Sequence, residues 1–286
     1  MKKILVISLL FGLMTLPMFL SSCKKAAVKP IGLQMYSIRQ DLDSNLVGTI
    51  EKLGKMGYKY AEAFGYKDGK IYGKSVTEFK DLLEKNGIKM ISSHVGQPVP
   101  DSANWAKTMS WWDECIAAHK AAGVSYLVQP SMDSVAYSSL AGLKRYCDYF
   151  NAVGEKCNAA GIKFGYHNHD KEFKTIDGQV LYDFMLKNTD PSKVFFELDL
   201  WWSTVGGANA IEYFQKYPGR FILLHVKDEF EVGSSGKIDW KAILEKAPDA
   251  GTKFYIVEQE AYQPNTTALD GMKKSLDFLE KADYIK

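Results

Sequence analysis

Eight short apolar runs recur along the chain, and each is followed by a segment with the spacing of an amphipathic helix. The runs start at residues 31, 58, 88, 124, 162, 194, 221 and 254. Segments between them, such as NLVGTIEKLGKMG and SVTEFKDLLEKNG, repeat apolar residues every three or four positions and end in glycine, a common helix C-cap. Strands that alternate with helices predict parallel pairing through right-handed crossovers. Because eight such units close a (β/α)8 barrel, the sequence predicts an α/β fold of the TIM-barrel type.

An open, doubly wound sheet is the alternative arrangement of the same elements. That fold normally carries a glycine-rich phosphate loop after its first strand, and the segment LQMYSIRQDLD has none. Residues 31–286 also have the length of one barrel, which typically takes ~250 residues, and no Gly/Pro/Ser-rich linker divides them. We therefore expect residues 31–286 to form a single catalytic domain.

The first 22 residues have the pattern of a secretory signal peptide. Two lysines precede an apolar run, and small residues lead to Cys23 in the string LSSC. The run is short and contains a proline, whereas a membrane-spanning helix needs ~20 apolar residues. LSSC resembles a bacterial lipobox, so we predict cleavage after residues 1–22, lipidation of Cys23, and a tether over residues 23–30. An ordinary signal peptide with an incidental cysteine is the alternative.

Lipidation of this kind determines where the protein is expected. Several acyl chains make a stable membrane anchor, whereas one chain alone is marginal. We therefore expect an exported, membrane-anchored lipoprotein that faces the periplasm.

The remaining composition argues against some partners and sites. The formal net charge is +2, which gives no reason to expect a nucleic-acid partner. The other three cysteines, Cys115, Cys147 and Cys157, lie in helical patterns between apolar neighbours, and no CxxC spacing occurs. We therefore expect buried thiols rather than a disulfide framework or a cysteine metal cluster.

Polar residues gather where the predicted strands end. Active sites of TIM barrels lie at the C-terminal ends of the strands, so side chains there are expected to converge on one mouth. Histidine or acidic residues fall at these ends in strands two, three and five to eight. The polar residues concerned are Gln34, Tyr36 and Arg39, then Glu62, His94 and Gln129, then His167, His169, Glu197 and Asp199, and finally His225, Lys227, Asp228, Glu258 and Glu260.

Strand alternation groups these residues by face. Side chains two apart on a strand point the same way, so Glu197 and Asp199 share a face, as do the two histidines of the string GYHNHD. An inward face of this kind collects carboxylates and imidazoles, and buried carboxylates repel one another unless a cation lies between them. Mixed histidine and carboxylate ligands favour Mn²⁺, Zn²⁺, Co²⁺ or Fe²⁺ over Mg²⁺. The residues therefore predict one divalent metal ion.

Single residues also have purely structural interpretations. These are a hydrogen-bonded core histidine for His94, a charge at the barrel bottom or in a loop for Glu62, a salt bridge with Lys227 or Lys163 for Glu197, and an apolar cap for Trp201 and Trp202. Chance would place as many acidic residues and histidines on the solvent faces of helices. Their concentration at strand ends favours a functional site.

Five strings give the chain a family resemblance: GLQMYSIRQDL, YHNHDKEF, LDLWW, LLHVKD and IVEQE. In this order they resemble the xylose isomerase-like barrels, which include sugar phosphate isomerases and epimerases, over nearly the whole mature chain. Members commonly bind one divalent metal through a glutamate, an aspartate, a histidine and a glutamate on strands five to eight. The resemblance implies Asp199, His225 and Glu258 as ligands, with His167 in the place of the usual strand-five glutamate.

This departure at His167 bears on the reaction. Family epimerases use the strand-five and strand-eight glutamates as two bases, so a one-base isomerisation or an elimination is expected here more than two-base epimerisation. The implied function is a divalent-metal-dependent sugar isomerase or epimerase that abstracts a proton next to a sugar carbonyl through a metal-stabilised enediolate. The alternatives are a lyase or hydratase that cleaves 3-keto-glycosides by elimination, and a non-catalytic carbohydrate-binding lipoprotein.

The remaining roles follow from this chemistry. Glu258 and His169 are the candidate bases, and Lys227 is the candidate to stabilise an oxyanion or protonate a leaving group. The predicted substrate-binding residues are Tyr36, Trp201 and Trp202, which would stack on a sugar ring, Glu62, His94 and Gln129, which would bond its hydroxyls, and Glu260. The expected ligand is a small sugar or glycoside.

Overall fold

Eight parallel strands form a closed ring in a computed structural model that describes residues 28–285. The predicted signal peptide and the predicted lipidation site, Cys23, lie outside the described residues. The strands are β1 (Ile31–Gln34), β2 (Tyr60–Ala63), β3 (Lys89–His94), β4 (Tyr126–Gln129), β5 (Lys163–His167), β6 (Val194–Asp199), β7 (Phe221–Val226) and β8 (Phe254–Val257). Their order around the ring follows the chain, and β1 pairs with both β2 and β8. The predicted (β/α)8 barrel is therefore confirmed.

Helices connect the strands and cover the outside of the ring. They are α1 (Arg39–Ser44), α2 (Leu46–Met56), α3 (Val76–Lys85), α4 (Trp105–Ala121), α5 (Ser134–Ser138), α6 (Leu140–Ala160), α7 (Leu181–Asn188), α8 (Leu200–Val205), α9 (Ala210–Lys216), α10 (Trp240–Lys246) and α11 (Ala268–Lys281). Short 3-10 turns span Met35–Ile38, Asp170–Phe173 and Ala247–Ala250. Within residues 28–285 no helix combines the length and the apolar character needed to cross a bilayer.

Two short hairpins lengthen the loops at the upper rim of the barrel. One pairs Lys70–Ile71 with Lys74–Ser75 after β2, and the other pairs Thr175–Ile176 with Gln179–Val180 after β5. Both belong to strand-to-helix connections, which lie on the side where TIM barrels carry their sites. The sequence pattern predicted neither hairpin.

Local signals in the sequence set the helix ends. Ser75 and Glu78 form a capping box at the start of α3, in which each side chain accepts a hydrogen bond from the other residue's backbone N–H. Helices α2 and α6 end at Gly57 and Gly161, whose φ angles are 114° and 80°. Side chains rarely adopt such angles, so glycine suits both stops. Each stop returns the chain to the next strand.

Apolar side chains fill the lower half of the ring. Val128, Phe195 and Leu223 are buried together there, and Tyr126 packs edge-on against Phe195 with the ring centroids 5.6 Å apart. Gly165 lies so close to Phe195 that a Cβ atom would come within 2.5 Å of its ring. A larger core between the ring and the helices includes the three predicted buried thiols, which are free. The polar strand ends are left at the upper mouth.

Two strand pairs shift their register at the level of the mouth. Between β6 and β7, Phe196 pairs with Phe221 but Glu197 pairs with Leu223, so one residue of β7 is skipped. Between β2 and β3, Ala61 pairs with Met90 and the next residue pairs with Ser92. Such bulges re-aim the side chains that follow them.

Candidate active site

Polar side chains from six strands, and one from the residue that follows β8, meet above the apolar layers on the inside of the ring. The set comprises Gln34, Glu62, Ser92, His94, His167, Glu197, Asp199, His225 and, directly after β8, Glu258. All are buried except His94, whose side chain is 8% exposed. The inward faces predicted from strand alternation therefore meet in space.

Glu62 lies beneath the mouth and is fully engaged. Its Oε1 atom accepts a hydrogen bond from the Gln34 amide at 2.7 Å and lies 2.9 Å from the Nε2 atoms of both His94 and His225. The Ser92 hydroxyl donates to Oε2. Burial alone would raise the pKa of this carboxyl, but His94 and His225 hold it well below its usual value. Glu62 therefore acts as an anionic partner of two imidazoles.

Glu197 is the second carboxylate at this lower level. Its Oε2 atom lies 2.9 Å from His94 Nε2, 3.1 Å from His225 Nε2 and 3.6 Å from His167 Nδ1. Its Oε1 atom has no hydrogen-bond partner among the described residues. The salt bridge to Lys227 or Lys163 considered for Glu197 is absent within residues 28–285; imidazoles take that place.

Asp199 and Glu258 approach His225 from the other side of its ring. Glu258 Oε2 lies 3.3 Å from His225 Nδ1, and Asp199 Oδ2 lies 3.8 Å from the same nitrogen. Asp199 Oδ1 accepts a hydrogen bond from the Trp202 backbone N–H at 2.7 Å, which caps α8 and fixes the carboxylate. Burial raises the pKa of Asp199 to about 7, although Lys227 and His225 oppose the rise.

Two overlapping groups of four side chains have the donors and the spacing for a divalent cation. One is His167, Asp199, His225 and Glu258, and the other is His94, His167, Glu197 and His225; in each, the ligand atoms lie within 4.8 Å of one another. Ligand atoms bound ~2.0–2.2 Å from one ion lie about 3 to 3.6 Å apart, which matches the shorter distances between the side chains of these groups.

Unpartnered atoms support a cation at this level. Asp199 Oδ2 and His167 Nδ1 are buried and accept or donate no hydrogen bond within the described chain. Such atoms are costly unless something else satisfies them. A mixed histidine and carboxylate set therefore fits the divalent metal that the sequence predicted.

Lys227 lies beside this cluster as its only lysine within residues 28–285. Its ammonium group donates to Glu258 Oε2 at 3.1 Å and to Glu260, and lies 4.8 Å from the centre of the Trp202 ring. Burial disfavours the charge of Lys227, but Glu258, Asp199 and Glu260 together raise its pKa above the usual value. Burial would likewise raise the pKa of Glu258, yet Lys227 and His225 hold it low. Lys227 is therefore a charged hydrogen-bond donor and Glu258 an ionised carboxylate.

A cavity of about 390 Å³ opens above the cluster. Six of the predicted site residues line it: Tyr36, His94, His167, His169, Glu258 and Glu260. Its volume lies in the range of about 300 to 1,000 Å³ that is usual for small-molecule sites. The cavity therefore joins the candidate metal ligands to solvent.

His169 stands at the cavity wall on a loop that a buried carboxylate supports. Its backbone N–H donates to Glu172 Oε2 at 3.0 Å, and Glu172 also accepts from the hydroxyls of Tyr137, at 2.7 Å, and Tyr166. Burial and then Lys227 lower the pKa of His169, which favours a neutral imidazole. The ring centroids of His167 and His169 are 5.0 Å apart.

Four predicted substrate-binding residues lie away from the cavity wall. Glu62 is beneath it, and the Gln129 amide donates to the carbonyls of Gln97 and Ser131 at 3.0 and 2.9 Å. The Lys237 ammonium group covers the ring of Trp201 at 5.2 Å, while Lys227 covers that of Trp202. Their roles toward substrate stay predictions, but the structure gives each a different partner.

Sequence reasoning missed the aromatic side of the cavity. Phe64 and Tyr66 line it beside Tyr36, whose ring meets Phe64 edge-on at 5.1 Å. Both follow β2 at two-residue intervals after Glu62, so continued strand alternation was the available signal. Neither residue lies in the strand itself, which ends at Ala63.

Comparisons with known proteins agree with the fold. A family model described as xylose isomerase-like TIM barrel matches residues 50–282. A sugar phosphate isomerase/epimerase from Parabacteroides distasonis is 36% identical, with a TM-score of 0.85 over 91% of this chain and 100% of that chain. A second such protein from the same organism is 33% identical, with a TM-score of 0.85 over 95% and 100%.

More distant relatives show the shared fold alone. The 3-keto-D-glucoside 4-epimerase of E. coli is 15% identical, with a TM-score of 0.68 over 88% of this chain and 99% of that chain. No curated protein sequence matches the chain. Because the family model matches most of the sequence and two relatives exceed 30% identity, the chain belongs to the xylose isomerase-like TIM barrel family.

Proposed function

We propose that the protein is a divalent-metal-dependent sugar isomerase or epimerase that acts at a carbon next to a carbonyl. The observation that carries the proposal is the group formed by His167, Asp199, His225 and Glu258 at the floor of the cavity. The two relatives above 30% identity are named as sugar phosphate isomerase/epimerases, which supports the same class of reaction.

The same four side chains would hold the ion. Their two imidazoles and two carboxylates suit Mn²⁺, Zn²⁺, Co²⁺ or Fe²⁺ better than Mg²⁺. A bound ion of this kind supplies Lewis-acid polarisation of a sugar carbonyl. Glu62 and Glu197 hold the far nitrogen of His225, at 2.9 and 3.1 Å, and so orient its Nδ1 toward Asp199 and Glu258.

Proton transfer in this proposal falls to residues at the cavity wall. His169, with its lowered pKa, accepts the proton from the carbon, since a neutral imidazole is an effective base near pH 7. Lys227 stays protonated between Glu258 and Glu260 and donates to a developing oxyanion. His167 replaces a carboxylate at the strand-five position, so one base serves both proton transfers. Isomerisation is favoured over two-base epimerisation for that reason.

Isotope exchange tests the proposal directly. The purified protein is assayed for its bound metals, then incubated in deuterated water with ketoses and followed by NMR for loss of the C–H signal next to the carbonyl. We expect exchange that a chelator abolishes and that His169→Asn reduces by about 100-fold or more. The exposed variant Asp148→Asn is the matched control, expected to behave as wild type. A protein that holds no divalent ion and exchanges nothing contradicts the proposal and favours a non-catalytic binding protein.

Elimination from a 3-keto-glycoside stays a prediction. No contact of the described site distinguishes elimination from isomerisation, since both start with the same proton abstraction. Release of the aglycone from a 3-keto-glycoside that replaces the ketose in the exchange assay detects elimination.

Export and lipid anchoring are proposed on the first 23 residues alone. The supporting feature is the apolar run followed by LSSC. We expect Cys23→Ser to release the protein from the membrane fraction and to abolish labelling with a radioactive fatty acid. Unchanged membrane association of Cys23→Ser contradicts the anchor.

A further inference from the structure

We infer that the cavity selects an uncharged sugar that carries a glycosidic substituent, rather than a phosphorylated sugar. The inference rests on the proposed function, because it names the substrate of that same site. Three features carry it: the charge of the cavity wall, its aromatic side, and a second cavity that adjoins the first.

The cavity wall carries carboxylates and lacks a free cation. Glu258 and Glu260 line it, and no lysine or arginine does so among the described residues. Lys227 does not line the cavity, and the two carboxylates to which it donates offset its charge, so it adds no net positive charge to the wall. Arg39 is also engaged, because its guanidinium carbon lies 4.1 Å from the centre of the Tyr36 ring and the group donates to the Tyr36 carbonyl oxygen.

A phosphate group needs different surroundings from these. Phosphate sites use arginine or lysine in charge-assisted hydrogen bonds, or bare backbone N–H groups of a glycine-rich loop. A divalent ion in the floor would be neutralised by Asp199 and Glu258, so it offers no surplus charge. The dianion of a sugar phosphate would then meet Glu260, which lies at the rim with 32% of its side chain exposed. The wall therefore disfavours phosphate.

The aromatic side of the cavity suits the apolar face of a sugar ring. Tyr36, Phe64 and Tyr66 form this side, and His94, His167 and His169 stand among the other lining residues. A pyranose presents C–H bonds on its faces and hydroxyls on its edge. Aromatic rings pack against the former, and imidazoles bond the latter.

A second cavity of about 250 Å³ adjoins the first. The two share Gly96, Pro130 and Ser131 as lining residues. Gln129 lines the second cavity, is 2% exposed, and has an Oε1 atom without a hydrogen-bond partner within residues 28–285. Its amide nitrogen donates to two backbone carbonyls, which holds the side chain against the wall of this cavity. A substituent on the bound sugar would enter this second cavity, whose lining includes Pro98 and Met132, while the sugar ring occupies the first cavity.

Calorimetric binding to the metal-loaded, full-length protein tests both parts. The first pair of probes is D-fructose and D-fructose 6-phosphate, and the second is the methyl and phenyl glycosides of 3-keto-D-glucose. We expect the phosphate to bind at least about tenfold more weakly than fructose, and the phenyl glycoside about tenfold more tightly than the methyl glycoside. Equal or tighter binding of the phosphate, no gain from the phenyl group, or no binding by any probe overturns the inference.

Two substitutions sharpen the result. Glu260→Lys reverses the charge at the rim and is expected to improve binding of fructose 6-phosphate about tenfold, with the exposed Glu280→Lys as its control. Gln97→Trp fills the second cavity and is expected to remove the advantage of the phenyl glycoside over the methyl glycoside, with the exposed Ser102→Trp as its control. Variants that leave both ratios as in wild type contradict the inference.

The outcome separates the inference from the proposed function. If the binding preferences hold but no probe exchanges its C–H proton, the reaction is wrong and the ligand class stands. If fructose 6-phosphate exchanges faster than every neutral probe, the reaction stands and the inference fails.

Discussion

Replacing Glu197 by glutamine tests whether Glu62 and Glu197 hold His225, a proposed metal ligand, in place. Glu197 Oε2 lies 3.1 Å from His225 Nε2 and 2.9 Å from His94 Nε2. Glutamine keeps the shape of the side chain but removes its charge. Nδ1 of His225 faces Asp199 and Glu258 on the opposite side of the ring. The substitution therefore weakens one of the interactions that hold His225 in place, and it leaves the four proposed ligands unchanged.

The expected loss of metal affinity follows from the two carboxylates, Glu62 and Glu197, that hold His225 in place. Hydrogen bonds to charged groups are worth about 1.5–3 kcal/mol each. Glu62 remains 2.9 Å from the same nitrogen, so one support of two is lost. We expect metal affinity to fall 10- to 100-fold, or about 1.4–2.7 kcal/mol, which is the range typical of partners behind a metal-binding histidine. Asp199→Asn removes a proposed ligand and is expected to cost more.

Competition with a chromophoric chelator for Zn²⁺ or Mn²⁺ measures this affinity. Thermal unfolding of the metal-free variants verifies that they fold. Glu155→Gln, with its side chain 71% exposed on α6, is the matched control. An affinity of Glu197→Gln within about threefold of wild type refutes the supporting role. If Glu197→Gln abolishes binding and Asp199→Asn only weakens it, the ion lies in the group that contains His94, and the proposed ligand set is wrong.

Three further substitutions test other parts of the site and barrel. Asp199→Asn removes a carboxyl whose pKa burial raises from 3.8 to about 7. The metal-free wild type should therefore lose up to ~4 kcal/mol of unfolding free energy as the pH rises from 4 to 7, whereas the variant should not. Urea unfolding at different pH values measures this loss. Lys227→Met removes the donor to Glu258 and should slow isotope exchange by about 100-fold. Gly165→Ala places a Cβ 2.5 Å from the Phe195 ring and should cost about 1–3 kcal/mol, measured as a lower Tm.

Each of these expectations has a control and an opposing result. The sign for Asp199 follows because the folded state keeps a proton that the unfolded chain releases, so stability falls with rising pH; parallel curves for wild type and variant contradict it. Lys241→Met, an exposed lysine on α10, is the control for Lys227, and undiminished exchange in Lys227→Met rules out its role. Lys163→Ala, on the same strand, is the control for Gly165, and an equal Tm for both variants contradicts the close packing.

The barrel and the inward polar faces could be predicted because both follow from local periodicity. A strand alternates its side chains at every residue, so the shared face of Glu197 and Asp199 needs no knowledge of neighbouring strands. Helix stops such as Gly161 are equally local, since the backbone itself requires the glycine. Such local signals can be recognised in a single sequence.

The direction of polar side chains beyond the strand ends could not be predicted. Gln129 ends β4 as a polar residue, but the loop that follows turns the carbonyl of Ser131 toward its amide. Trp201 belongs to α8, and a lysine from a distant loop covers its ring. Whether such a residue faces the cavity depends on loops whose paths no periodicity describes.

The register shifts explain how carboxylates and imidazoles from different strands reach one level. Side chains paired across parallel strands point to the same face. Asp199 pairs with His225 only because one residue of β7 is skipped below them; continued pairing from Phe196 with Phe221 would set Asp199 opposite Leu224 and turn His225 to the helical side. The same shift between β2 and β3 aligns Glu62 with Ser92. The extra residues lie in β7 and β3, so the two bulges bring His225 and Ser92 to the inside of the ring, level with Asp199 and Glu62. Strand alternation within each run gave no indication of this relative height.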